Sequence, residues 1–412
     1  MMKNRAGSDA ARFFENEKEG THMIYDFTTL VDRREQGSAK WEGVPQDGTE
    51  QPIVPFSVAD MEFKHPPELL EGLKQYTDEM IFGYTNPTGR YYTSVQDWME
   101  QRHGFRPPRE WFLEFPGVVP ALGELVRDLT EPGEAILILT PVYYPFRTTV
   151  RRSGRTLVSS QLVDCGTTYD IDFDDVAEKL ARPDVTMMLL CSPHNPVGRV
   201  WTREELVHLC ELCRDNDVFL VADEIHFDLI LPGYHHTSVA TLTEYLDQVA
   251  VCTAPSKTFN LAGLQTSNIF LPNAEKREKI KKIRGFAELN AYGYRACELV
   301  YTKCGDWLAQ LLKQIEHNRV LVKTYVEEHL PEIRIYELQG TYLLWMDFRA
   351  LGMPPKELEQ FMHRAGWYCD EGYIFGAGGE GFERLNLACP AWVLEQALER
   401  LHTAIRKRGA AE

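Results

Sequence analysis

The sequence has no long apolar run. Although 44% of its 412 residues are hydrophobic, no apolar stretch approaches the roughly 18 to 20 residues that are needed to cross a bilayer. The N-terminal segment, MMKNRAGSDAARFFENEKEG, also lacks the apolar stretch of a signal peptide. We therefore expect a cytoplasmic protein that has no membrane partner.

Positive charge is scarce as well. The chain has 44 Lys and Arg residues against 61 Asp and Glu residues, which gives a net charge of −17. Proteins that bind nucleic acids neutralise the phosphates with clustered Lys and Arg. The charge balance therefore argues against nucleic acid as a partner.

The nine cysteines do not suggest a disulfide framework, because their number is odd and they are scattered along a large chain. Cys210 and Cys213 form a C-x-x-C motif. Together with Leu206 and Leu209, however, they have helical spacing. We interpret the motif as a buried helix face rather than a redox or metal pair, and we expect no metal site.

Short apolar runs do occur, and helical patterns separate them between about residues 135 and 271. The runs are AILIL, TMMLLC, VFLVA, QVAVC and SNIFL. This alternation is typical of buried parallel strands in a doubly wound sheet, so the sequence predicts an α/β fold. Thr202 and Glu205 form a capping-box pattern that starts one of the helices.

Four segments are predicted along the chain. Residues 1–22 are polar and read as a flexible extension, and residues 23–62 as an N-terminal segment that packs with a small domain. Residues 63–290 hold the strand-rich pattern and form a large domain. Residues 291–412 are mainly helical around the strand-like GTYLLWMDF, which indicates a smaller α+β domain.

An amine and a carboxylate are predicted at neighbouring strand ends. Asp223 ends the run VFLVA, and Lys257 follows the run QVAVC after a short turn. Sites in open α/β sheets form at the carboxyl ends of the strands. A buried carboxylate there needs a cation or hydrogen-bond donors, although a helix cap is the simpler explanation of Asp223.

Three further loops offer groups that could bind a ligand. Gly117 and Pro120 begin an amphipathic helix, so the backbone at Val118 and Val119 could hold a phosphate. Tyr143 follows the run AILIL and offers a flat ring, and Asn195 offers an amide in SPHNPVGR. An unoccupied helix start and a core tyrosine remain the alternatives when each loop is taken alone.

Taken together, these groups match the needs of pyridoxal 5′-phosphate (PLP). This cofactor requires a lysine for covalent attachment, a carboxylate that keeps its ring nitrogen protonated, and donors for its phosphate. The sequence therefore predicts PLP as the cofactor.

The sequence also resembles fold-type I PLP enzymes of the class I/II aminotransferase superfamily from about Met23 to its C-terminus. The order of Asn195, Asp223 and Lys257 and the spacing between them carry this likeness. Within the superfamily it is most similar to the MalY/PatB type of cystathionine β-lyase. The motifs shared with that type are SVADMEF, FGYTNPTG, PGVVPAL, CSPHNPVGR, DEIHFDL, APSKTFNLAGLQ, GTYLLWMDF and GFERLNLACP.

The resemblance implies a role for each site residue. Lys257 would be the Schiff-base lysine and general base, and Asp223 the partner of the ring nitrogen. Asn195 would lie near the phenolic oxygen and the substrate, and Tyr143 would stack on the ring. Arg384 would bind the substrate carboxylate, for which a guanidinium is the suitable fork-shaped donor, and a structural salt bridge is the alternative role.

The resemblance also implies a homodimer with shared active sites, because Tyr84 matches a tyrosine that reaches the cofactor phosphate of the neighbouring subunit. Two positions depart from many aminotransferases but agree with the MalY/PatB type: His226 replaces a tyrosine and Gln265 an arginine. His226 could donate to the phenolic oxygen or be structural. Loss of the arginine would leave the phosphate more dependent on Ser256, Tyr84 and the helix start.

The function implied by the resemblance is cleavage of the Cβ–S bond of cystathionine or cysteine S-conjugates. Aminotransferase activity is the alternative, since it shares the early chemistry, and a non-catalytic protein that keeps the fold is a more remote one. Ser57 stands where these lyases often have tryptophan, so the resemblance does not define the substrate pocket around this position.

Overall fold

The computed structural model describes residues 25–45, 53–284 and 289–409. The predicted extension over residues 1–22 lies outside these residues. Within the described ranges, no helix has both the length and the apolar character of a membrane span.

The strands are, in chain order, β1 (Phe112–Phe115), β2 (Ala135–Thr140), β3 (Thr156–Gln161), β4 (Val163–Asp164), β5 (Tyr169–Asp170), β6 (Val185–Cys191), β7 (Phe219–Asp223), β8 (Val249–Thr253), β9 (Ser267–Phe270), β10 (Arg334–Ile335), β11 (Leu343–Asp347), β12 (Asp370–Glu371) and β13 (Phe382–Asn386). The α-helices are α1 (Pro67–Glu79), α2 (Gly89–His103), α3 (Val118–Leu129), α4 (Pro145–Arg152), α5 (Phe173–Leu180), α6 (Arg203–Asp215), α7 (Pro255–Thr258), α8 (Ala274–Arg284), α9 (Ala291–Lys303), α10 (Gly305–His329), α11 (Pro355–Arg364) and α12 (Ala391–Gly409).

A large sheet has the strand order β1-β9-β8-β7-β6-β2-β3. Strands β3, β2, β6, β7 and β8 run parallel to one another. Both faces of the sheet are buried, because alternate residues of β2 enter different cores: Ile136 and Ile138 on one face, Leu137 and Leu139 on the other. This confirms the predicted α/β fold with a mainly parallel, doubly wound sheet.

The prediction that SNIFL forms a parallel strand is wrong. Strand β9 is antiparallel to both β8 and β1. A parallel return needs a long crossover, usually through a helix of several turns. The connection from β8 to β9 contains only the four-residue helix α7 and a 3₁₀ turn, so the chain reverses direction and enters the sheet beside the strand it has just left.

Two strands of the large sheet, β1 and β3, have no counterpart among the predicted apolar runs. Both lie at the edges of the sheet. β3 has the sequence TLVSSQ and is only partly buried. Edge strands of this kind lack the continuous apolar signal by which buried parallel strands are found.

The C-terminal residues form a second, antiparallel sheet with the order β10-β11-β13-β12. The long helix α10 and the final helix α12 pack together beside it. The N-terminal segment bonds to this part of the chain, because the amide of Phe56 donates to Tyr368 O (2.7 Å) and the amide of Asn386 donates to Phe56 O (3.1 Å).

Helix α6 has the start that the sequence predicts. The Thr202 hydroxyl accepts from the Glu205 amide, and the Glu205 carboxylate accepts from the Thr202 amide. Cys210 and Cys213 are buried on the core face of this helix as free thiols, which confirms their interpretation as a helix face.

We expect Thr202→Ala to lower the free energy of unfolding by about 1 kcal/mol, because the substitution removes one half of the capping box. Thr202→Ser keeps the hydroxyl and is the matched control. Guanidinium unfolding followed by circular dichroism measures the difference. Equal stability of the two variants would contradict a stabilising role for the box.

Candidate active site

The site lies at the carboxyl ends of three adjacent parallel strands. β7 ends at Asp223, Asn195 lies in the loop after β6, and Lys257 lies in helix α7, just after β8. Parallel strands direct their carboxyl ends to the same edge of a sheet. The large sheet thus brings together three side chains that are far apart in the sequence.

These side chains line a cavity of about 160 Å³. A wider cleft of about 550 Å³ lies nearby and contains none of the predicted site residues. The smaller cavity is the candidate site because it, and not the wider cleft, is lined by the predicted site residues. Its lining residues are Ala59, Gly117, Val118, Val119, Pro120, Tyr143, Cys191, Asn195, Asp223, Ile225, His226, Ser256, Lys257, Ala262, Gln265 and Thr266.

Lys257 is fixed by a backbone atom of the N-terminal segment. Its Nζ donates to the Ala59 carbonyl oxygen (2.8 Å), which also accepts from the Tyr342 hydroxyl (2.9 Å). Burial, followed by the positive charge of Arg384, lowers the pKa of Lys257 to about 8. The amine is therefore uncharged more readily than an exposed lysine amine, as a nucleophile or general base requires.

Asp223 is buried, and it accepts a hydrogen bond from the Ile225 amide (3.1 Å). Burial raises the pKa of its carboxyl group to about 7. Because a buried carboxylate is costly unless a cation or several donors satisfy it, Asp223 is ready to pair with a protonated ring nitrogen.

Two of the predicted ring contacts also line the cavity. His226 is buried and its Nδ1 has no hydrogen-bond partner among the described residues. Burial, with help from the charges of Lys257 and Arg384, lowers the pKa of His226 well below its usual value. The amide of Tyr143 donates to the Asn195 carbonyl oxygen (3.0 Å), which joins the two loops.

The start of helix α3 forms one end of the cavity. Gly117 precedes the helix with φ 123°, a backbone conformation that favours glycine, and no side chain caps the first turn. The free N–H groups of a first helical turn attract anions. Val118 and Val119 belong to this first turn, and Ser256 and Gln265, the residue that replaces an arginine, also line the cavity.

Arg384 does not line the cavity itself, but it is joined to it through Asn195. Its Nη1 donates to Asn195 Oδ1 (2.8 Å), and its Nη2 forms an ion pair with Asp370. The guanidinium also lies over the Phe375 ring, 4.9 Å from the ring centroid. Arg384 is only 3% exposed, so this charge is held inside the protein.

Tyr84 lies apart from the other predicted site residues. It is 96% exposed and lies in the connection between α1 and α2, next to the exposed Ile81 and Phe82. Tyr84 is not among the described residues that line the cavity of its own chain.

Sequence reasoning missed Ala59, Tyr342 and Asp370. Ala59 acts through its carbonyl oxygen, which leaves no sequence signal. Asp370 could have been suspected, since a charged residue follows the apolar GWYC of the small domain, but only the pairing of β12 with β13 shows that it faces Arg384.

The described residues fit PLP. Among the residues that the structure describes, the buried Nδ1 of His226 has no partner, Asp223 accepts one backbone donor, and the first turn of α3 has no side-chain cap. A phenolic oxygen, a protonated ring nitrogen and a phosphate are the groups that would satisfy these three features. Lys257 offers the amine.

Comparisons with known proteins agree with this arrangement. The profile of the family described as "Aminotransferase class I and II" matches residues 52–401. Cystathionine beta-lyase PatB of Bacillus subtilis is 40% identical over 383 residues, which cover 91% of this chain and 99% of PatB.

Two solved structures are similar throughout. Cystalysin of Treponema denticola, which contains PLP, has a TM-score of 0.91 and 45% identity, with 93% of this chain and 100% of that chain covered. The PLP-bound C–S lyase of Staphylococcus hominis has a TM-score of 0.87 and 30% identity, with 92% and 99% covered. The chain therefore belongs to the class I and II aminotransferase family and, within it, to the MalY/PatB type.

Proposed function

We propose that this chain cleaves the Cβ–S bond of cystathionine or of cysteine S-conjugates by α,β-elimination. It is a PLP-dependent C–S β-lyase, and the products are a thiol, pyruvate and ammonia. Cystathionine and one water molecule would give homocysteine, pyruvate and ammonia. The observation that carries the proposal is the meeting of the Lys257 amine, the Asp223 carboxylate and the Arg384–Asn195 pair at one sheet edge.

Arg384 and Asn195 bind and orient the substrate in this proposal. A guanidinium can hold the α-carboxylate through two parallel hydrogen bonds, which fixes the position of the neighbouring Cα. Orientation of this kind contributes several kcal/mol to a reaction barrier.

Lys257 removes the Cα proton. A positioned base typically accelerates such a step by about 10²- to 10⁴-fold, and its pKa should lie near the working pH. The pKa of about 8 meets that condition. When bound, PLP supplies a carbonyl carbon for the amine and a pyridinium ring that takes up the electrons released at Cα.

The remaining cavity residues hold the cofactor in this proposal. Asp223 keeps its ring nitrogen protonated, and Tyr143 stacks on the ring. His226 donates to the phenolic oxygen through its unpartnered Nδ1, in a tautomer that leaves a proton there. The helix start at Val118 and Val119 and the Ser256 hydroxyl bind the phosphate.

We further propose a cytoplasmic homodimer in which Tyr84 reaches the cofactor phosphate of the partner subunit. The exposure of Tyr84, Ile81 and Phe82 supports a role outside their own subunit.

The nine free thiols support a reducing compartment. The bonds of Phe56 to Tyr368 and Asn386 support the packing of residues 23–62 with the small domain, for which we propose residues 291–412, beside a large domain of residues 63–290.

We expect the purified protein with PLP to release pyruvate and homocysteine from L-cystathionine. Lys257→Ala should reduce this activity by at least about 10³-fold, because it removes both the attachment point and the base. Pyruvate and free thiol are measured in parallel with glutamate formed from an amino acid and 2-oxoglutarate. Formation of glutamate without pyruvate or thiol would reject the lyase and favour an aminotransferase.

The pKa of Asp223 predicts how the cofactor-free protein responds to pH. The folded protein holds a proton on Asp223 up to about pH 7, whereas in the unfolded chain this carboxyl group releases the proton near its ordinary pKa of 3.8. Folding therefore binds a proton in this range, and this contribution to stability falls as the pH rises from about 4 to about 7.

Urea unfolding of the cofactor-free protein at pH 5 and at pH 7.5 measures this loss. Asp223→Asn cannot titrate at this position, so it should lose less stability than the unsubstituted protein over the same range. Equal losses in the two proteins would show that Asp223 does not hold the proton.

Mixing two inactive variants tests the shared site. Lys257→Ala damages a site from within its own subunit, and Tyr84→Ala should damage the site of the partner by weakening phosphate binding. In a mixed dimer, one of the two sites keeps both native residues. After co-refolding in equal amounts, about a quarter of all sites should be native.

Activity near a quarter of that of the unsubstituted protein is expected from the mixture. Activity that does not exceed the average of the separate variants would mean that Tyr84 serves its own subunit or none. Tyr144→Ala in place of Tyr84→Ala, a substitution of another exposed tyrosine, should produce no such complementation.

A further inference from the structure

Asp370 occupies one edge of the guanidinium that is expected to bind the substrate carboxylate. The two residues are directly paired across strands β12 and β13, and Asp370 Oδ2 forms an ion pair with Arg384 Nη2. The same oxygen accepts a hydrogen bond from the Val58 amide (3.1 Å). Asp370 therefore connects Arg384 with the N-terminal segment.

The donors of Arg384 limit how a second carboxylate can bind. Nη1 already donates to Asn195, and Nε has no partner among the described residues. A carboxylate can bind a guanidinium in a bidentate manner either end-on, through Nη1 and Nη2, or side-on, through Nε and Nη2. Both arrangements use Nη2, the nitrogen that Asp370 contacts.

The two charged side chains differ in their exposure to solvent. The Arg384 side chain is 3% exposed, whereas the Asp370 side chain is 15% exposed and lies beside the half-exposed loop at Val58. Asp370 can therefore move away from the guanidinium without unpacking the strand that carries Arg384. The arginine cannot follow it, because Asn195 and the Phe375 ring hold it from two other sides.

We propose that Asp370 is a positioning residue that the substrate α-carboxylate displaces from Arg384. In the empty site Asp370 compensates a buried positive charge that would otherwise remain unpaired beside Lys257. When the substrate binds, its carboxylate takes over Nη2, and the Asp370 carboxylate turns towards the exposed loop at Val58. Asp370 thereby sets the affinity of the site for carboxylates. This inference rests on the proposed role of Arg384.

Two small ligands separate this competition from a structural role. 3-(Methylthio)propanoate has the carboxylate of a cysteine S-conjugate but no amine, so it cannot react with the cofactor. 2-(Methylthio)ethylamine has the amine and the thioether but no carboxylate. The inhibition constant of each is measured against L-cystathionine with the PLP-loaded protein, and calorimetry gives the binding of 3-(methylthio)propanoate without turnover.

We expect Asp370→Asn to lower the inhibition constant of 3-(methylthio)propanoate about tenfold, because the ligand no longer competes with a charged neighbour for a buried guanidinium. The constant for 2-(methylthio)ethylamine should stay within about twofold. Glu371→Gln is the matched control, since Glu371 is the next residue of β12 and its side chain projects from the opposite face of the strand. It should leave both constants unchanged.

Weaker binding of both ligands to Asp370→Asn would show that Asp370 only supports the shape of the site. Unchanged binding of both would show that it does not compete. If the variant does not fold, a crystal structure of the unsubstituted PLP-loaded protein with 3-(methylthio)propanoate decides. An Asp370 carboxylate still on Nη2 beside the bound ligand overturns the proposal, and one that has left Nη2 supports it. Loss of lyase activity with normal carboxylate competition would concern the proposed function and not Asp370.

Discussion

The parallel alignment of β6, β7 and β8 is the constraint on which the site depends. Their carboxyl ends meet at one edge of the sheet and deliver Asn195, Asp223 and Lys257 from positions that are far apart in the sequence. Both faces of this sheet are covered by apolar side chains, so the strand ends keep their spacing. The rigid core thus fixes the relative positions of groups that lie on loops.

Burial gives these groups their chemistry. The same loss of solvent lowers the pKa of Lys257 to about 8 and raises that of Asp223 to about 7, so each group gives up its charge more easily than an exposed residue of the same type. Within the described ranges, three polar features of the site lack full partners: the Nδ1 of His226 has none, the Asp223 carboxyl group has one donor, and the first turn of α3 has no side-chain cap. One planar pyridinium ring that carries a phenolic oxygen and a phosphate group would complete all three.

The sequence predicted the parts of the fold that leave a strong local pattern. Buried parallel strands have continuous apolar runs, and the start of helix α6 has the capping-box residues Thr202 and Glu205. Both features were therefore predicted. The direction of β9 was missed because an apolar run has no direction; only the length of the preceding connection indicates it. Edge strands β1 and β3 were missed because they carry a mixed pattern.

The same reasoning separates the site residues that were found from those that were missed. Lys257, Asp223 and Asn195 stand at strand ends and belong to recognisable motifs. Asp370 belongs to no predicted element. It lies opposite Arg384 because β12 pairs with β13, although the two residues are 14 positions apart in the sequence. Pairing of this kind is decided by tertiary packing.

The double use of the Ala59 carbonyl oxygen has a consequence for how this protein tolerates change. Every residue type carries that oxygen, so alanine scanning and comparison of related sequences would both overlook the position. Its contribution would become visible only through changes to the main chain itself, such as replacement of the 59–60 amide by an ester, which weakens the carbonyl as an acceptor. A part of the catalytic environment is thus encoded in the path of the backbone and is independent of side-chain identity.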